Sequence, residues 1–284
     1  MGMSSYEQLS DRILAQINAG YWDEAYDELR SLESNGDAAA VAVLAQFYLF
    51  GIGIAKDAEL AVELFEKAIS MGCGEAAWEL GRQYYNVNSE LGQDRSKAVA
   101  IFEKGAALGD VSCMGALAQC YLFGSGTPEN NSKAFDYAIR AAKLGDVNGI
   151  HVAAICYDDG LGTNRDAGAA YTWYKEYLNY EPDDGEAMLR IALCLADPYE
   201  CFGIRPTGDM LNEAFFYAGK AVEKGNVEAH LIVGWFYERG EVVPRDYDMA
   251  HKYIQIAADN GNEFAQEHLK IYRKSLYGTY YIPD

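Results

Sequence analysis

Three Gly-x-Gly triplets, Gly51-Ile52-Gly53, Gly124-Ser125-Gly126 and Gly160-Leu161-Gly162, are the first residues to test for chemistry. Glycine-rich loops can bring backbone amides against a phosphate, but a dinucleotide fingerprint must follow a strand and open a helix. Each triplet here follows a helical pattern, so all three read as turns. The cysteines are next. Cys120, Cys156 and Cys194 share one register, a slot that holds Phe47 and Phe236 in other parts of the chain. Cysteine in such a slot is expected to be a small buried apolar filler. Cys113 and Cys120 are seven apart on one helix, roughly 10 Å and too far for a disulfide. Cys201, in a long connection, is the thiol left to test. The four histidines, His151, His230, His251 and His268, show no metal-ligand spacing. His151 and Cys156 are five apart, about 140° around a helix, and do not form a catalytic pair. The abundant carboxylates read as solvated helix faces. No catalytic residue, metal or cofactor is expected.

The formal net charge of −20 repels phosphate backbones and anionic lipid, so neither a nucleic-acid nor a membrane partner is expected. The first residues carry Glu7, Asp11 and Arg12 among apolar ones, unlike a secretory leader, and no apolar stretch is long enough to span a bilayer. A cytoplasmic location and a reducing compartment are the expectation.

What positions these residues is a repeat. A glycine recurs after an alanine-rich run at Gly36, Gly72, Gly109, Gly145, Gly225 and Gly261, at intervals of 36, 37, 36, 80 and 36. The interval of 80 divides into 36 and 44 if Glu181 stands in for the missing glycine. Within a unit, Ala40, Leu44, Ala45 and Tyr48 share a helix face, Gly51 and Gly53 make a turn, Asp57 follows, and Ala61, Leu64, Phe65 and Ala68 share a second face. Gly72, Gly109 and Gly145 are placed to end helices in the left-handed region. Asp57, Asp94, Asp166 and Asp246 are placed to cap the second helices. Ala45, Gly81, Ala118, Ala154, Ala192 and Gly234 share a register where bulk would hold paired helices apart. These features predict an all-α solenoid of helix-turn-helix units over residues 1–284. The units fall at 36–71, 72–108, 109–144, 145–180, 181–224 and 225–260. A degenerate helix pair at 5–35 precedes them, and a capping helix at 263–275 and an aromatic tail at 276–284 follow. The second unit replaces Gly-x-Gly with Asn86-Val87-Asn88-Ser89. The fifth carries eight extra residues, with Asp197-Pro198-Tyr199-Glu200 and Arg205-Pro206-Thr207-Gly208 in its connection.

The run Ala-x3-Leu-Gly-x2-Tyr, Gly-x-Gly, Asp, Ala and Gly at about 36 residues resembles the Sel1-like repeats (SLR), relatives of the tetratricopeptide repeats, over roughly Asp37 to Arg273. The resemblance implies a right-handed α-α superhelical solenoid in which the first helix of each pair lines a concave groove. Mapped in this way, the groove holds Gln46, Leu49, Trp78, Arg82, Tyr85, Gln119, Leu122, His151, Ile155, Leu189, Leu193, Leu231, Trp235 and Glu238. Trp, Tyr and Arg are the types that anchor interfaces. Packing of the same side chains on neighbouring helices would instead close the groove. The resemblance further implies an interaction scaffold that binds a protein or peptide. The paired cysteines of secreted members are absent. A hydrolase acting on a cell-wall-like small molecule is the rival reading and predicts a deep pocket with paired carboxylates. A secreted host-interaction effector is another and requires an export signal. The tail from Tyr277 to Pro283 can dock on its own solenoid, mediate self-association through a neighbour's groove, or fray.

Overall fold

The computed structural model describes residues 4–196 and 205–283. Among these, fifteen α-helices and one two-stranded ladder form an all-α helical-repeat solenoid. Its contacts gather into two compact units, Met1–Val152 and Ala153–Asp284. The first holds α1 (Ser5–Asn18), α2 (Trp22–Ser34), α3 (Ala38–Phe50), α4 (Ala58–Ser70), α5 (Gly74–Tyr85), α6 (Arg95–Ala107), α7 (Val111–Phe123), α8 (Asn131–Ala142) and the start of α9 (Val147–Asp159). The second holds the rest of α9, then α10 (Ala167–Tyr177), α11 (Gly185–Ala196), α12 (Gly208–Glu223), α13 (Glu228–Arg239), α14 (Tyr247–Asp259), α15 (Glu263–Leu269), β1 (Arg273–Lys274) and β2 (Tyr280–Tyr281). In the first unit α3 packs on α4, α5 on α6 and α7 on α8, and α4 meets α5 as α6 meets α7. In the second, α11 packs on α12 and α13 on α14, while α14 meets α15.

The punctuation behaves as its chemistry requires. Asp57, Asp94, Asp166 and Asp246 each accept a first-turn amide, from Leu60, Lys97, Ala169 and Met249 at 2.9–3.0 Å. Such caps contribute about 1 kcal/mol apiece. Gly51 ends α3 at φ +68°, a left-handed position that a side chain would strain. The small-residue register is buried throughout, and a Cβ on Gly234 would come 2.6 Å from Ile254 Cγ1.

Two features depart from expectation. The closing helix stops at Leu269 rather than continuing to 275, because Tyr272 turns inward. Its ring joins the apolar cluster of Leu231, Ala250 and Ile254, and its hydroxyl donates to Glu238 at 2.6 Å. The tail then returns as β2, paired antiparallel to β1. Tyr280 and Ile282 pack on the same cluster, and Tyr280 stacks on His251 at 3.6 Å. The tail therefore docks on its own last repeat. Burial lowers the His251 pKa below its ordinary 6.5, with Asp248 opposing and Lys274 reinforcing the shift. A histidine held neutral in the fold stabilises it fully above pH 6.5, and that contribution is lost as pH falls through the lowered value. The thermal midpoint of the wild-type chain is expected to fall relative to that of His251→Phe as pH drops from about 7 to 5. Parallel curves would contradict this role.

The second departure concerns sulfur. Cys194 is disulfide-bonded, so it is not a thiol filler, and its partner lies outside the described residues. Asp197, Pro198, Tyr199, Glu200 and Cys201 of the long connection lie outside them too. Equal register with Cys120 and Cys156 misled, because register fixes burial but not pairing. The bond also removes the cysteine-based support for a reducing compartment. Cys73, Cys113, Cys120 and Cys156 are free and buried. Burial pushes the Cys73, Cys120 and Cys156 thiols up to about 11 and also raises Cys113. Few thiolates then exist near neutral pH. An aromatic disulfide reagent at pH 8 should leave these four unreacted in the native chain. It should count four thiols in denaturant and six after reduction, against six cysteines in all. A count of six without reductant would remove the bond.

Candidate functional site

The site is built on α5. Ala76, Ala77, Leu80 and Gly81 form its buried face, leaving Glu75, Trp78, Glu79, Arg82 and Tyr85 partly or fully open. Gly81 is what lets Phe102 of α6 lie flat against this helix, since a Cβ there would sit 2.4 Å from Phe102 Cε1. Phe102 in turn supports the open face. Trp78 stacks on it at 5.7 Å and Tyr85 tilts against it at 6.3 Å. Such ring pairs add roughly 0.5–1.5 kcal/mol each beyond their buried area.

Two cavities meet at Trp78. One, of about 170 Å³, is walled by Trp78, Tyr85, Phe102 and Ala116, with Arg82 at its rim. The amides of Gln119 and Asn148 close it, joined Nε2 to Oδ1 at 2.9 Å. Tyr85 is fixed by Ser125, which donates to its hydroxyl at 3.3 Å, and by Arg95 lying 5.4 Å over its ring. The other, of about 610 Å³, is a cleft between the start of α1, the other flank of α5 and the turn at 108–112. Tyr6, Trp78, Leu108 and Val111 give it apolar wall, and Glu7, Glu75, Glu79 and Asp110 give it negative charge. Gln46 anchors α1 there by donating to Tyr6 Oη at 2.8 Å. Asp110 caps α7 by accepting from the Cys113 amide at 2.7 Å. Burial raises its carboxyl above the ordinary range, Glu75 adding to the effect against the opposing hydrogen bonds. Arg82 donates to Glu79 at 2.7 Å, so one positive charge borders the acidic side.

The mapped groove residues divide. Trp78, Arg82, Tyr85 and Gln119 converge on the smaller cavity. Leu49, Leu122, Leu189 and Leu231 are buried, so they belong to the core and not to an open wall. Their apolar side chains face the helix seam wherever a neighbouring helix can cover them. The register that stays partly or fully open in every unit is that of Gln46, Arg82, Gln119, Ile155, Leu193 and Trp235. His151 is half-buried. Trp235 and Glu238 are taken up by the chain's own end. Phe264 packs edge-on to Trp235 at 5.8 Å, and Glu238 accepts from His268 at 2.8 Å as well as from Tyr272. Phe102, Tyr6, Glu75 and Asn148 also line these cavities, from positions outside the mapped register. Phe102 sits on a second helix, outside a mapping confined to first helices, and Tyr6 arrives from a segment with no repeat register.

Among the described residues, no three His, Cys, Asp or Glu side chains gather as a metal ion would need, and no described helix is long and apolar enough to cross a membrane. Stacked helix pairs at a period of about 36 residues define a helical-repeat protein. The chain belongs to the Sel1 repeat family, whose pattern matches residues 38–73, 74–110, 111–146, 150–176, 185–226 and 227–262. Proteins of this family are generally protein-interaction scaffolds. The fold is similar to that of a Sel1 repeat protein from Oxalobacter formigenes, 24% identical over 88% of this chain and 96% of that one, TM-score 0.59. It is also similar to a protective antigen of uropathogenic Escherichia coli strains that displays an SLR fold. That match is 25% identical over 94% of this chain and 59% of the longer one, TM-score 0.63.

Proposed function

We propose that this chain is a scaffold that holds an extended protein segment at the two cavities sharing Trp78. The observation that carries this reading is the convergence of Trp78, Tyr85, Phe102 and Arg82 on one recess beside an acidic cleft. Partly open aromatic rings on a rigid helical support lose little entropy on binding and supply large contact area. The smaller cavity suits one apolar or aromatic side chain, whose polar end meets the Gln119–Asn148 amides. The cleft suits neighbouring Lys or Arg side chains. The segment is therefore an apolar residue flanked by basic ones. A hydrolytic reading gains no support, because Asp110 is committed to capping α7.

A displayed random-peptide library selected on the wild-type chain tests this. Enriched sequences should share an aromatic or aliphatic residue beside Lys or Arg, and should not be retained by Trp78→Ala. Sequences without that pattern, or retained equally by both proteins, would overturn the assignment.

A further inference from the structure

The C-terminal hairpin presents an apolar tip to solvent. Tyr277 is 96% exposed and Leu276 fully so, although the hairpin that carries them is firmly built. Ser275 N–H donates to Thr279 O at 2.8 Å, and Ser275 Oγ accepts the amides of Tyr277 and Thr279, each at 3.2 Å. The Tyr280 amide donates to Asp248 at 2.7 Å, tying the hairpin to α14. An ordered turn that holds a leucine and a tyrosine outward is pre-organised for contact, because the ordering entropy has already been spent within the fold.

The segment that carries this tip is locally basic, although Lys270 pairs with Glu267, Asp248 accepts the Tyr280 amide and Asp284 follows it in sequence. Residues 268–283 contain Lys270, Arg273 and Lys274 and no Asp or Glu, within a protein of net charge −20. The cleft beside Trp78 carries Glu7, Glu75, Glu79 and Asp110. Tip and recess thus match in both respects. Tyr277 offers a ring for the walls of Trp78, Tyr85 and Phe102 and a hydroxyl for the amide pair, while Arg273 and Lys274 offer positive charge to the carboxylates.

We propose that the occupant of the Trp78 cavities is the Leu276–Tyr277 tip of a second copy of this chain. This rests on reading those cavities as a segment-binding site. The contact is heterologous, joining a C-terminal end to an N-terminal unit, so a pair of copies keeps one free recess and one free tip and further copies can add. Complementary charge steers the association and makes it sensitive to salt.

Sedimentation of the chain, residues 1–284, over a range of concentrations tests the proposal. The wild-type mean mass should rise with concentration and fall back at high salt. Leu276→Ser with Tyr277→Ser changes only exposed side chains and should weaken association at least tenfold. Trp78→Ala should do the same. Glu75→Lys with Glu79→Lys, on the helix surface, gives the same readout should the tryptophan variant fold poorly. An equimolar mixture of tip variant and cavity variant retains one intact recess and one intact tip. It should therefore form a dimer and nothing larger. A wild-type chain that stays monomeric throughout, or a tip variant that associates like wild type, overturns the proposal. If library-selected peptides still require Trp78 in that case, the segment-binding site stands and only the identity of its occupant falls.

Discussion

Phe102→Ala is expected to destabilise the N-terminal unit by about 3–5 kcal/mol, the usual loss for a large aromatic removed from a packed core. Phe102 is among the largest fully buried side chains, and three features of α5 depend on it. Gly81 is small to admit it, and the Trp78 and Tyr85 rings pack against it. Truncation therefore opens a void and removes the support of the recess together. The change should be read as a lower urea midpoint at unchanged slope. The converse substitution, Gly81→Leu, keeps the ring but forces it outward, for about 1–3 kcal/mol by overpacking. A loss below about 1 kcal/mol for Phe102→Ala would mean that α5 and α6 are not seated as described.

Trp78→Ala should weaken the binding of library-selected peptides by about 2 kcal/mol or more, roughly thirtyfold. The helix should persist, since the tryptophan is only half-buried and alanine is the best helix former. Trp235→Ala makes the contrast. Its ring packs against Phe264, so removal should loosen the C-terminal end and leave peptide affinity unchanged. Isothermal titration of both variants with one selected peptide separates the two tryptophans. Equal losses from both would place binding on a longer surface than the recess.

The architecture was legible because close packing of helix pairs restricts residue size. Gly81 and Ala118 recur where helices touch, Asp57 and Asp94 where amides need an acceptor, and Gly72 where the backbone turns left-handed. Such constraints act within about 36 residues and print a period. The site was legible only in part. Trp78, Arg82 and Tyr85 lie on one helix, so spacing brought them together. Tyr6 and Asn148 reach the recess by long-range packing, which leaves no trace in spacing, and the Gln46–Tyr6 hydrogen bond spans 40 residues. The strands of the terminal hairpin, Arg273–Lys274 and Tyr280–Tyr281, are too short to show alternation. Their pairing follows from Tyr272, whose ring joins the apolar cluster and whose hydroxyl donates to Glu238. Helical phase alone puts Leu49, Leu122, Leu189 and Leu231 on an open wall, yet all four are buried. A neighbouring helix covers the apolar side chain at that phase.

The most direct test of the recess uses the four tryptophans, Trp22, Trp78, Trp173 and Trp235, as reporters. With 5-fluorotryptophan incorporated and each resonance assigned by single substitution, fluorine NMR follows all four during titration with a library-selected peptide. The Trp78 signal should move in proportion to occupancy while Trp22, Trp173 and Trp235 hold their positions. A Trp78 signal that stays fixed at saturating peptide, with any other tryptophan moving in its place, would contradict the site.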